Sequence, residues 1–100
     1  MRYGAITDLP GPDVLSRAVL VFGPAGHGLQ LVERQLLHVR LENRIGHVRV
    51  EVARTEDGRT DLTIETREYD REAVAFIESL PRLTRLGRWL RQKRGRTSGR

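Results

Sequence analysis

Three short runs in the middle of the chain alternate apolar and polar residues with a period of two. Leu37, Val39 and Leu41 alternate with His38, Arg40 and Glu42; Val48, Val50 and Val52 with Arg49, Glu51 and Ala53; Leu62 and Ile64 with Asp61, Thr63 and Glu65. Successive side chains of a strand point to opposite faces, so this pattern gives strands with one dry side and one wet side. One-sided burial argues for antiparallel pairing. Leu29 to Tyr69 therefore reads as an antiparallel meander around which the rest of the chain is arranged.

The turns between these runs limit the register. Thr55-Glu56-Asp57-Gly58-Arg59 suits a three-residue hairpin loop with Gly58 in the left-handed conformation. That loop sets Val52 against Leu62 and Val50 against Ile64 inside, and Arg49 against Glu65 outside. A two-residue Asp57-Gly58 turn would set Val52 against Thr63 and mix the faces. The preceding hairpin is less determined. A tight turn at Ile45-Gly46 would pair Glu42 with Arg49 and Arg40 with Glu51, but Ile suits a primed turn poorly. A four-residue loop from Asn43 to Gly46 would place Arg40 opposite Arg49, an unfavourable pair. The loop stays open between these two.

On the N-terminal side, Arg2 to Leu9 alternates as a first strand and Pro10-Gly11-Pro12 ends it. A helix starting at Pro12 or Asp13 carries Leu15, Ala18, Val19 and Phe22 on one stripe and stops at Gly23-Pro24. Leu29, Leu31 and Glu33 give a second strand, with a turn or bulge at Arg34-Gln35. After the meander, Asp70 is placed to cap a helix carrying Ala73, Phe76, Ile77 and Leu80. Pro81 should break or kink that helix near Ser79–Leu80.

Gly23-Pro24-Ala25-Gly26-His27-Gly28 is the most motif-like segment. A glycine-rich loop that follows a strand and opens a helix can cradle phosphates. With Ala18–Phe22 extended and Leu29–Val39 helical, this loop would have that setting. The Gly-Lys-Ser/Thr ending and the G-x-G-x-x-G order are both absent, and three glycines with a proline also suit a plain helix-to-strand connection. The connection is the favoured reading.

Composition enters through the charge. One hundred residues make one domain, burying ~60–65% of its unfolded surface. The net charge of +5 conceals a division. Residues 82–100 hold Arg82, Arg85, Arg88, Arg91, Lys93, Arg94, Arg96 and Arg100 with no acid, a net of +8. Residues 1–81 hold ten arginines against thirteen acids, a net of −3. The basic character belongs to the C-terminal segment alone. Within it, Leu83, Leu86 and Leu90 fall on one helical stripe with Trp89 beside it, and Arg85, Arg88 and Arg91 on the other side. The expected organisation is a domain over residues 1–80, a basic amphipathic helix over 81–94 and a disordered end over 95–100. No apolar run reaches the ~18–20 residues of a membrane span, and the N-terminal residues do not form a signal peptide. The absence of cysteine removes disulfides and thiolate zinc sites, leaving the cytoplasm as the default compartment.

The order of strand, helix, meander and C-terminal helix resembles a cut-down helix-grip fold, the architecture of the START-like lipid-transfer and polyketide-cyclase superfamily. Phe22 to Leu29 and Thr66-Arg67-Glu68-Tyr69-Asp70 also resemble segments of small bacterial proteins of unknown function and similar length. The resemblance implies an α+β fold with one sheet covered on one face by two helices. It also implies an apolar ligand site between helix and sheet, near Phe22, Phe76 and Ile77. No catalytic residue is carried over.

No constellation points to a reaction. His27, His38 and His47 match no metal-ligand spacing, so neither metal nor cofactor is expected. Glu65, Glu68, Asp70 and Glu72 cluster in sequence, but Glu65 faces Arg49 and Asp70 has its capping role, which reads as a solvated surface. The basic segment remains. Arg82, Arg85, Arg88, Trp89, Arg91, Lys93 and Arg94 are the expected contacts to a polyanion, either nucleic acid, a ribonucleoprotein or an anionic membrane. The same leucine stripe can instead pack on the domain or join two copies as a homodimer. The expected function is a non-catalytic binding or adaptor domain.

Overall fold

The structure, a computed structural model, describes residues 1–81 and the backbone of residues 84–86. The fold is α+β. Its elements are β1 (Arg2–Thr7), α1 (Gly11–Phe22), β2 (Gln30–Arg34), β3 (His38–Glu42), β4 (His47–Arg54), β5 (Thr60–Arg67), α2 (Asp70–Glu78) and β6 (Thr84–Leu86). All described pairings are antiparallel, and the sheet order is β2-β3-β4-β5-β1-β6.

The alternation decides which face is buried. Val39, Leu41, Val48, Val50, Leu62, Ile64 and Ala5 are all fully buried. Both helices lie on that face, α1 over β3 and β4 and α2 over β5 and β1. Phe22 of α1 and Phe76 of α2 meet with ring centroids 5.6 Å apart, which closes the interior between the helices. The other face carries no helix among the described residues. One row across it runs Arg2, Glu65, Arg49, Arg40, Glu33.

The β4–β5 hairpin has the expected register, with Val52 opposite Leu62, Val50 opposite Ile64 and Arg49 opposite Glu65. Thr55 N donates to Arg59 O at 2.9 Å, which leaves a three-residue loop, and Gly58 sits at φ +85°. The Thr55 hydroxyl also bonds the Asp57 carboxylate, which holds the Asp57 carboxyl below its usual range.

The β3–β4 hairpin takes the four-residue loop and places Arg40 opposite Arg49. Alternation could not decide this, because a slip of two residues keeps every side chain on its own face. Loop chemistry does. Asn43 Oδ1 accepts from Ile45 N at 2.9 Å and Gly46 N at 3.0 Å, and Asn43 Nδ2 donates to the Tyr69 hydroxyl at 2.6 Å. The facing arginines each turn to a glutamate two residues on, Arg40 to Glu42 and Arg49 to Glu51, both at 3.2 Å.

Three further expectations need correction. Leu37 is not in the core; Gln35 N donates to His38 O across a turn that leaves Leu36 and Leu37 at 84% and 54% exposure. Asp70 is not the N-cap of α2: Tyr69 takes that position, and Asp70 makes no capping bond. Its Oδ1 lies 4.0 Å from the Met1 amino group, a distance for charge attraction but not a hydrogen bond.

The third concerns the C-terminal segment. Thr84–Leu86 is a strand paired with β1, not part of a helix, and it extends the sheet past residue 80. Thr7 prepares that return. Its hydroxyl accepts from Leu9 N at 3.2 Å, ending β1, and donates to Pro81 O at 2.5 Å. The rest of the expected 81–94 helix, and the expected disorder over 95–100, lie outside the described residues.

Candidate functional site

The glycine loop is the first place to test. It follows a helix and precedes a strand, the reverse of a phosphate cradle. Its glycine and histidine amides are also occupied. Gly23, His27 and Leu29 donate to the carbonyls of Val19, Val21 and Phe22, and Gly26 and Gly28 both donate to Gly23 O. These donors close the C-terminal end of α1, where the helix dipole is negative and repels anions. Gly26 is held against that helix end, since a Cβ there would lie 1.9 Å from Val21 O. The loop is a connection.

The three histidines are separated. His27 stacks at a tilt beside Phe22, ring centroids 5.8 Å apart. His38 Nε2 lies 3.3 Å from Glu33 Oε2 on the open face of the sheet. His47 starts β4, where burial, then the charges of Arg40 and Arg67, outweigh the glutamates and lower its pKa below the ordinary 6.5. Among the described residues no three His, Asp or Glu side chains form a metal-binding group.

Phe22, Phe76 and Ile77 are all core, with exposures of 0%, 2% and 4%. A concave site lies elsewhere, at the end of the sheet where β4 turns into β5. There a groove of about 450 Å³ opens between the β4–β5 hairpin, the start of α1 and the β2–β3 turn. The local sequence builds it directly. Gly11 begins α1 close over the sheet, since a Cβ there would meet Val52 Cγ2 at 3.2 Å. Val52 and Thr60 are buried in its lining, and the exposed Leu36 and Leu37 line it beside them, Leu37 O accepting from Val52 N at 2.9 Å. Asp8 ties the hairpin to the β1–α1 connection, accepting from Arg59 Nε at 2.7 Å. Arg54 stands on the lip of the groove, its Nη2 beside Gly58.

The alternation of Leu37 with Val39 and Leu41 points Leu37 inward, which hides this groove from the sequence. The available signal was the pair Leu36-Leu37 in a two-residue turn, where apolar side chains find little cover. Of the expected polyanion contacts, only Arg85 falls within the described backbone, on β6. Arg82, Arg88, Trp89, Arg91, Lys93 and Arg94 lie outside the described residues. Because β6 runs antiparallel to β1, with Thr84 opposite Ile6 and Leu86 opposite Gly4, it heads away from the groove end of the sheet.

No helix among the described residues is long and apolar enough to cross a membrane. No protein-family model, curated protein or solved structure matches the chain.

Proposed function

We propose that this protein is a non-catalytic binding module in which residues 82–100 engage nucleic acid and the α+β body serves as their mount. The observation that carries this reading is the segregation of charge: +8 within nineteen C-terminal residues against −3 over the preceding 81. On the open face of the sheet the body's charges answer one another, through Arg2–Glu65, Arg40–Glu42 and Arg49–Glu51. The C-terminal segment holds no acid to do the same. Its arginines and lysine would neutralise phosphates and release their counterions, so binding should weaken steeply with salt.

Nucleic acid is preferred to a membrane surface for a specific reason. An interfacial helix needs its apolar stripe on one continuous helical face. Leu86 lies in a strand, so the leucine stripe that includes it is not one continuous helical face. Arginines on an extended chain can still follow a phosphate backbone, and Trp89 can stack on a base.

The test is fluorescence anisotropy of a labelled single-stranded RNA and a DNA duplex with the full chain, alongside flotation with anionic liposomes. Low-salt nucleic-acid binding that is lost when Arg88, Arg91, Lys93 and Arg94 are changed to Gln is the expected result. Flotation without nucleic-acid binding would replace this reading with a membrane role, and retention in neither assay would end both.

A further inference from the structure

The groove at the β4–β5 end is independent of the basic segment and has its own chemistry. Its volume, about 450 Å³, lies within the range of small-molecule sites. Its walls are largely apolar: Pro10, Pro12, Leu36, Leu37 and Val52. Two adjacent leucines left 84% and 54% exposed on a turn stand as an unfilled apolar surface.

The charges on the rim are unequal. Two guanidiniums, Arg54 and Arg59, line the groove against the single carboxylate of Asp8. Arg59 is held by Asp8 at 2.7 Å. Arg54 has no carboxylate within ion-pair distance among the described residues, and its Nη2 lies 3.9 Å from the point a Cβ would occupy on Gly58. Glycine at 58 satisfies the turn's positive φ.

We infer that this groove binds a small amphiphile, an aliphatic chain carrying one anionic head, with the chain against Leu36, Leu37 and Val52 and the head on Arg54. The spare positive charge selects the occupant. It disfavours the chain's own 82–100 segment, which is wholly basic, and it disfavours a second copy presenting the same lip. A guanidinium can meet a carboxylate or a phosphate head with two parallel hydrogen bonds.

The experiment is an amide-resolved NMR titration of the full chain with octanoate, octyl phosphate, octanol and octylamine. Saturable shifts at Leu36, Leu37, Gly58 and Thr60 are expected with the two anions, and about tenfold weaker binding with octanol, one charge-assisted contact's worth. The two anions compared with each other identify the preferred head. Arg54→Gln should bring octanoate down to the octanol level and leave octanol unchanged, while Leu37→Ser weakens both. Equal binding of octanoate and octanol, or of octanoate to the wild type and Arg54→Gln, would overturn the assignment. So would shifts confined to residues beyond 81, which would place the anion on the basic segment instead.

Discussion

The two ends of the sheet are built in opposite ways. At one end the β3–β4 loop, the close of β5 and the start of α2 lock together. Asn43 bonds its own loop and Tyr69, Thr66 Oγ1 donates to His47 O at 2.8 Å, and Gly46 lies flat against the Arg67 carbonyl. At the other end Thr55 closes its own hairpin loop and Thr7 holds Leu9 and Pro81, but among the described residues lining the groove the Asp8–Arg59 pair is the one ion pair. An end held by several mutually dependent bonds is a structural anchor. An end left concave, with apolar walls and an uneven charge, is where a ligand can be taken up without unfolding anything. Substitutions at the locked end should therefore cost stability, and those at the open end recognition.

The largest expected effect is at Gly46. A Cβ there would come within 2.0 Å of Arg67 O and 2.9 Å of Glu68 Cβ, and Glu68 is already fixed at φ 77°. Gly46→Ala should destabilise by about 3 kcal/mol, read as a fall in the denaturant midpoint with little change in slope. Next comes Asn43→Ala, which removes two acceptor contacts and one donor at once; about 2 kcal/mol is expected from the same measurement. Tyr69→Phe removes only the last of these and should cost about 1 kcal/mol. If Asn43→Ala costs no more than Tyr69→Phe, the loop is held by packing and not by its Asx turn.

A smaller effect is set by pH. Burial lowers the pKa of His47 in the folded protein below 6.5, so the unfolded chain takes up the proton more readily. Stability contributed by neutral His47 is complete above about pH 6.5 and declines as the pH falls toward the folded-state value. The difference in unfolding free energy between wild type and His47→Gln should therefore be flat above that pH and slope below it. A difference that stays constant down to pH 5 would remove the burial argument. The smallest change belongs to the open end: Arg54→Gln and Leu37→Ser should move stability by less than about 0.5 kcal/mol.

The body of the fold was legible in the sequence wherever apolar periodicity or turn chemistry left a single solution. The β4–β5 register was fixed by parity together with Gly58, and α1 and α2 by their apolar stripes and the prolines at their ends. Legibility failed where parity was silent. The β3–β4 loop turns on a two-residue slip that only Asn43 resolves, through a partner 26 residues away in Tyr69. Leu37 looked like core because it shares the phase of Val39, yet the phase does not say where the strand ends. Strand β6 was hidden by a helical leucine spacing that yields to an open sheet edge on β1. The groove belongs to this second group, since it exists only where three distant segments meet.

The reading as a whole rests on a body that folds and a C-terminal segment that binds. Its most direct test is the salt dependence of nucleic-acid affinity, measured on the full chain and on the variant with Arg88, Arg91, Lys93 and Arg94 changed to Gln, both first shown to have equal unfolding midpoints. The prediction is that the slope of log affinity against log salt falls by about 3 for the four charges removed. Equal slopes and equal affinities in the two proteins would contradict it, and would move the binding surface, if there is one, onto the body.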